Sequence, residues 1–236
     1  MIKEEKINIV AGHEDISTIL LKKEDISLSC ILLHGAGNSD KNRLIQLGKE
    51  LTKIGLGSIV FDFSSHGESS HNEPTSLEKR TSEALKIIEH LDSKLPITIC
   101  AFSMSGQVAI NLLQSKIKNR IKNIILFAPA LYDKRALNVP FGPEFSEIIR
   151  KKESWKNNNA NENLKDFNGN ILIFFSKNDH IIPNEIPDII VNAAISASKK
   201  KILYLEQAPH QLARWSSEHL NNSKFIVESI VDFLNT

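Results

Sequence analysis

Residues 99–106 read Ile99-Cys100-Ala101-Phe102-Ser103-Met104-Ser105-Gly106, and Val108, Ala109, Leu112 and Leu113 follow at helical spacing. A strand, a tight turn and a helix with serine at the tip form a nucleophile elbow, the device that presents a serine hydroxyl to a carbonyl carbon. The turning backbone passes close to the helix behind it, so bulky flanking side chains would clash. Ala101 and Ser105 stand where glycine is usual, and Gly106 is retained. The serine is thereby held near the positive end of the helix dipole.

Other residues that chemistry at Ser103 requires also follow apolar runs. Ile31-Leu32-Leu33 leads into His34-Gly35-Ala36-Gly37, a glycine loop able to aim a backbone N–H at the oxyanion of an acyl-transfer intermediate. The N–H of Met104, just after the serine, is a second donor; losing one such donor costs about 3 kcal/mol of transition-state stabilisation. The loop lacks the Lys-Ser/Thr of a P-loop and the G-x-G-x-x-G spacing of a dinucleotide site. Asp179 follows the run 171–175, and His210 follows the run 201–205. A serine needs a neutral imidazole to take its proton, and the imidazolium needs a carboxylate to orient it. Ser103, Asp179 and His210 occur in the serine–acid–histidine order of the α/β-hydrolases.

The elements that must position these residues are legible as a rhythm. Apolar, non-alternating runs at 28–33, 58–61, 97–101, 123–127, 171–175 and 201–205 read as strands buried on both faces of a parallel sheet. Amphipathic helices separate them. Leu44, Leu47, Leu51 and Ile54 make one stripe, with Gly55 placed to end it. Leu77, Ala84, Leu85, Ile88 and Leu91 make a second, opened by a capping box from Thr75 to Glu78. Ile186, Ile189, Ile190, Ala193 and Ala197 make a third, and Phe225, Ile226, Ile230, Phe233 and Leu234 the last. Stretches 6–10 and 17–21 read as an antiparallel hairpin at the sheet edge. This alternation predicts one doubly wound α/β domain over 1–236, with ligands outside the carboxyl ends of the strands.

Residues 131–169 break the rhythm with Pro140, Gly142, Pro143, a Lys151-Lys152 pair and an asparagine-rich tract. Loops of this length inside a domain are functional or disordered. The segment reads as a cap or lid insertion, part helical over 144–152, above the strand ends, or equally as a plain surface excursion. Its Leu137, Val139, Phe141, Phe145 and Trp155 can line an acyl or aromatic pocket, or glue the insertion to the core.

In these motifs the chain resembles a small α/β-hydrolase-fold serine hydrolase over nearly its whole length. His34 to Gly37 resembles the family's oxyanion loop. Asp62-Phe63-Ser64-Ser65-His66-Gly67-Glu68-Ser69 resembles its D-x-R-G-H-G-x-S loop, without the Arg and Gly at Ser64 and Ser65. Asp179 to Pro183 resembles the acid loop, and His210 the histidine loop. The resemblance implies a nucleophile at Ser103, a base at His210, an acid at Asp179, and oxyanion donors at the N–H groups of Ala36 and Met104. It implies no cofactor and gives Asp62 and His66 a supporting role. Asp133 is the rival acid, since some members place theirs after the preceding strand. A serine rather than an aspartate at the elbow argues against dehalogenase and epoxide-hydrolase chemistry.

The remaining candidates read as structural. His180 points away from Asp179; His13, His71, His90 and His219 lie in surface or helical contexts; Ser105 falls on the first helical turn. No histidine pair has metal-ligand spacing. Cys30 and Cys100 read as buried thiols on neighbouring strands, and Lys199 to Lys201 as the exposed end of a helix. The 236 residues carry 29 Lys plus Arg against 28 Asp plus Glu, a net charge of +1. That excludes a basic field for nucleic acid or an anionic membrane. No apolar run approaches the roughly 20 residues that span a bilayer, and the charged N-terminus is no signal peptide. The expectation is a cytoplasmic, carboxylesterase-like serine hydrolase, metal-free and cofactor-free, acting on a small-molecule ester of short, medium or aromatic acyl group. Thioesterase, then peptidase, follow on the same triad. A non-catalytic binding protein on this fold is the competing class.

Overall fold

The computed structural model describes residues 1–235. Among the described residues, eight strands form one sheet: β1 (Lys3–Ala11), β2 (Glu14–Lys22), β3 (Leu28–Leu33), β4 (Gly57–Phe61), β5 (Ile97–Phe102), β6 (Ile121–Phe127), β7 (Asn170–Ser176) and β8 (Lys199–Leu205). Their order is β1-β2-β4-β3-β5-β6-β7-β8. The first two form the antiparallel hairpin expected at the edge, with β2 antiparallel to β4; all other pairs are parallel. Every residue of β4 and β5 is buried, which is why these runs are continuously apolar. Cys30 on β3 and Cys100 on β5 are buried, with sulfurs 4.0 Å apart.

Among the described residues, eight α-helices accompany the sheet: α1 (Asn42–Lys53), α2 (Leu77–Ile88), α3 (Ser105–Leu112), α4 (Pro143–Ile149), α5 (Ala160–Leu164), α6 (Ile186–Ala193), α7 (Leu212–Glu218) and α8 (Leu220–Asn235). Leu44, Leu47 and Leu51 are fully buried, and Gly55 follows α1 at φ +98°. The start of α2 lies one residue later than the capping box implies. Ser76, not Thr75, caps it by accepting from the Lys79 N–H at 3.1 Å, because the Thr75 hydroxyl bonds Ser64 and Ser65 in the neighbouring loop. Phe225 of the last stripe is exposed.

Lys199 to Lys201 open β8 instead of ending a helix, pairing with 170–172 of β7. α6 stops at Ala193, and the lysines sit on the outer strand of the sheet. Charge on an edge strand discourages pairing with another chain. Residues 131–169 join β6 to β7 and contain α4 and α5. No helix of the described residues is long and apolar enough to cross a membrane.

Register brings the functional loops together. Leu33 pairs with Ala101, Phe102 with Phe127, and Ser176 with Leu205. The chain therefore leaves β3, β5, β7 and β8 at one edge. Beneath it Phe102, Phe127 and Phe174 stack with centroids 4.2 and 5.0 Å apart, a rigid apolar floor.

Candidate active site

Ser103 lies between the end of β5 and the start of α3 at φ +49°, a left-handed conformation that costs a non-glycine residue about 1–2 kcal/mol. Three hydrogen bonds hold it there. Its N–H donates to the Phe127 carbonyl at 2.8 Å, and its carbonyl accepts from Gly106 and Ala130, both at 2.9 Å. A Cβ on Gly106 would lie 2.7 Å from the Pro129 Cβ, so this retained glycine is a close-packing requirement. Ala101 is fully buried. The Ser105 hydroxyl donates to the His34 carbonyl at 2.5 Å, tying the elbow to the neighbouring loop. Serine in place of glycine here adds a brace that glycine cannot supply.

The Ser103 Oγ is 3.2 Å from Nε2 of His210, whose Nδ1 donates to Oδ2 of Asp179 at 2.8 Å. The other oxygen, Oδ1, accepts from the N–H groups of Ile181 and Ile182 at 2.8 and 2.9 Å. The Asp179 side chain is fully buried while His210 keeps 15% exposure. Burial alone would raise the Asp179 pKa. The bonds from His210, Ile182 and Ile181 outweigh it and hold the carboxyl below its ordinary value. A carboxylate fixed by two amides, an imidazole pinned by that carboxylate and a hydroxyl within reach form a proton relay. The Ser176 hydroxyl donates to the Ala208 carbonyl, fastening the histidine loop to the end of β7.

Ala36 and Met104 line the cleft beside Ser103. Their N–H groups have no hydrogen-bond partner among the described residues. A Cβ on Gly35 would stand 3.3 Å from the Phe102 carbonyl oxygen and the Ser103 Cβ, so only a residue without a side chain lets this loop approach the elbow freely. His34 sits wholly buried behind it. Its Nε2 accepts from the Phe63 N–H at 3.0 Å, so the proton is on Nδ1, which donates to the Gly35 carbonyl at 2.8 Å. Burial, then the nearby Arg80 charge, keeps its pKa well below the ordinary value, so His34 is neutral.

The loop after β4 is a polar scaffold. Asp62 accepts from the Lys41 N–H at 2.7 Å and from its Nζ at 2.5 Å, and Lys41 also pairs with Glu68 at 2.7 Å. Gly67, at φ +51°, lies against the Asp62 carboxylate where a Cβ has no room. His66 faces Arg80, with Nη2 donating to its Nε2 at 2.9 Å. The fully buried Lys41 and Arg80 are invisible as site-builders in sequence, because Arg80 stands on a helix and Lys41 just before one, where a basic residue reads as solvated. Asp133 is turned to the insertion: it binds Arg135 at 2.6 Å and accepts from Asn157 Nδ2 at 2.9 Å. The bond from Arg135 leads the causes that take its pKa down to about 2. His180 is exposed.

A cleft of about 780 Å³ opens over the relay. Trp155 and Ile149 of the insertion, Tyr132, and Ile181, Ile182 and Ile186 beyond Asp179 supply its apolar wall. Phe141 and Phe145, expected to line it, lie behind it. Their rings pack at 4.8 Å, Phe145 is buried against Tyr132, and Phe141 covers Arg80. Helix α4 turns Phe145 toward the core, and the bond from the Phe141 N–H to the Thr75 carbonyl fixes the loop before it, directions that periodicity alone does not decide. Ile181, Arg43 and Arg214 are lining residues the sequence did not signal.

The sheet order, the elbow and the relay at the strand ends define an α/β hydrolase. Within that class the chain belongs to the serine aminopeptidase (S33) family of hydrolases, whose model matches residues 25–158, including the glycine loop and the elbow. Among solved structures, the chain is similar to 2-hydroxy-6-oxo-6-phenylhexa-2,4-dienoate hydrolase (BphD) from Rhodococcus sp. strain RHA1, with TM-score 0.74, 14% identity and 100% of both chains covered. It is similar to esterase Pf2001 of Pyrococcus furiosus, with TM-score 0.71, 18% identity, 98% of this chain covered and 90% of the other. It is also similar to Est1E of Butyrivibrio proteoclasticus, solved with ferulic acid bound, with TM-score 0.68, 17% identity, 95% of this chain covered and 99% of the other. At these identities the likeness establishes the fold. No curated protein sequence matches the chain.

Proposed function

We propose that the protein is a serine hydrolase that cleaves carboxylic esters of short, medium or aromatic acyl groups through an acyl-enzyme on Ser103. The observation that carries this reading is the unbroken relay from Ser103 Oγ through His210 to Asp179. His210 Nε2 takes the hydroxyl proton as Oγ bonds to the carbonyl carbon. The carbonyl π electrons move to oxygen, and the N–H groups of Ala36 and Met104 receive the oxyanion. Asp179 holds the Nδ1–H tautomer and stabilises the imidazolium. The tetrahedral intermediate collapses, the ester C–O bond breaks, and His210 returns its proton to the leaving alkoxide. A water then loses a proton to His210, adds to the acyl carbon and releases the acid, restoring Ser103. No step calls for a cofactor or a metal. Residues 131–169 act as a short cap whose Trp155 and Ile149 meet the acyl group, and the two buried cysteines suit a cytoplasmic setting.

Peptide cleavage is the second reading, favoured by the family's description. An aminopeptidase needs a negative group to hold the free ammonium of its substrate. Among the described residues lining the cleft there is no Asp or Glu, while Arg43 and Arg214 are present. The cleft thus suits a neutral or anionic acyl group better than a cationic amino terminus.

Labelling with a fluorophosphonate followed by peptide mapping tests the nucleophile, and kcat/KM over a series of 4-nitrophenyl esters, thioesters and aminoacyl 4-nitroanilides tests the bond. The expected result is a stoichiometric adduct on Ser103 and ester turnover ahead of thioester and anilide. An intact protein with no adduct and no turnover would replace this reading with a binding role.

A further inference from the structure

Arg80 of α2 is the largest fully buried side chain, and it makes no ion pair among the described residues. A buried cation without a counter-ion is expensive, and natural interiors avoid it. Glu83, one turn on, makes no bond to it: its charge lifts the Arg80 pKa against burial, but its carboxylate accepts from the Ser64 N–H at 3.2 Å, and burial raises its own pKa. Arg80 is instead held between two aromatic faces. Its guanidinium carbon lies 4.7 Å from the Phe63 ring centre and 5.2 Å from that of Phe141. Burial lowers the Arg80 pKa to about 10, so the group is still a cation at neutral pH.

The direction in which this cation is spent is informative. Nη2 donates to His66 Nε2 at 2.9 Å, and Nη1 donates to the Gly35 carbonyl oxygen at 3.3 Å. That same oxygen accepts from His34 Nδ1–H at 2.8 Å. The carbonyl of Gly35 and the N–H of Ala36 belong to one peptide group, which is planar. Two donors on its oxygen fix the plane, and they draw electron density toward the carbonyl and make its N–H a stronger donor. That N–H is one of the two oxyanion donors of the proposed mechanism.

We infer that Arg80 is a positioning residue of the oxyanion site, acting through the Gly35–Ala36 peptide that it clamps together with His34. As the substrate oxygen gains charge, the polarised Ala36 N–H and the guanidinium behind it, which has no carboxylate in direct contact, both favour the negative state. A carboxylate bonded to Arg80 would cancel more of that field than the offset Glu83 does, which gives the absence of an ion pair a purpose. Phe141, reaching in from the insertion and pinned by its N–H to the Thr75 carbonyl at 2.7 Å, completes the cage. Through Phe141 the insertion thus bears on the oxyanion site from behind, apart from the Trp155 and Ile149 side that lines the cleft.

The inference rests on the serine-hydrolase reading, so its test begins with fluorophosphonate labelling of the unaltered protein at Ser103; absence of label there overturns the hydrolase reading itself. Arg80→Met and Arg80→Lys are then compared for kcat, KM and inhibition by a trifluoromethyl ketone, which adds Ser103 Oγ to its carbonyl and places an oxyanion in the site while the proton goes to His210. Arg80→Met is expected to lower kcat by about 10- to 100-fold, short of the loss of a whole oxyanion donor, with KM within about twofold. Its trifluoromethyl ketone affinity should fall in parallel with kcat/KM. Arg80→Lys, which keeps a cationic donor but cannot reach both acceptors as a fork, should fall between the two. If Arg80→Met does not fold, Arg80→Lys carries the test by the same parallel. Variants that are folded and keep kcat and ketone affinity, or that lose KM alone, overturn the inference.

Discussion

The Asp179 carboxylate meets Nδ1 of His210 at 2.8 Å across the carboxyl ends of adjacent parallel strands β7 and β8. The contact is built twice over. Ile181 and Ile182 hold the other carboxylate oxygen, and the Ser176 hydroxyl ties the histidine loop to β7. A carboxylate so restrained can dictate the imidazole tautomer, whereas the rival Asp133 is committed to Arg135 and Asn157.

Asp179→Asn is therefore expected to lower kcat by about ten-thousandfold while the protein stays folded, since the amide can donate to Nδ1 and favour the wrong tautomer. Asp133→Asn should leave kcat nearly unchanged and cost about 1–3 kcal/mol of stability through the insertion's lost bonds. Steady-state kinetics and urea unfolding of both variants separate the two acids. Loss of turnover in the Asp133 variant alone would reverse the assignment.

Ser103 holds a left-handed backbone for the sake of its position. Replacing it by alanine keeps the strain and removes the nucleophile; replacing it by glycine removes both. Ser103→Gly should be inactive yet about 1 kcal/mol more stable than Ser103→Ala. Thermal unfolding of the pair decides it, and equal midpoints would show that the strain is not real.

Glu14 at the start of β2 is a stability switch at low pH. Burial would raise its pKa, but bonds from Lys79, Ser70 and the N–H groups of Asn72 and Glu73 outweigh this and bring it down to about 2. A carboxyl whose folded pKa lies below its unfolded value of about 4.5 stabilises fully above that value, and loses the contribution as pH falls toward 2. Glu14→Gln should cost on the order of 3 kcal/mol at pH 7. The gap between the two proteins should narrow steadily below pH 4.5. A gap equally wide at pH 3 and pH 7 in urea titrations would refute this account.

Gly35 gives the glycine loop, proposed to hold an oxyanion donor, its closeness to the elbow. With a Cβ 3.3 Å from the Phe102 carbonyl oxygen and the Ser103 Cβ, Gly35→Ala must push the loop outward by a few tenths of an ångström. The expected consequence is a fall in kcat of about tenfold or more, because one donor leaves its line to the oxyanion. KM and the thermal midpoint should change little. Unaltered kcat would mean that the loop has slack.

The strands, their parallel pairing and the chain order of Ser103, Asp179 and His210 were legible because burial on both faces writes an unbroken apolar run. Strand–loop junctions then inherit their positions from those runs. Local sequence also carried the elbow, since a tight turn against a helix tolerates only small residues such as Ala101, Ser105 and Gly106. It did not carry the direction of Phe141 and Phe145, the fate of Lys199 to Lys201, or the burial of Lys41 and Arg80. Each of these depends on what another part of the chain brings to the same place: Tyr132 beside Phe145, β7 beside the lysines, Asp62 and Glu68 around Lys41, and Phe63, His66 and the Gly35 carbonyl around Arg80. Periodicity is a property of one segment and reports which residues can be buried together. Which charge is buried, and what it faces, is decided only when segments far apart in sequence close on one another and water leaves.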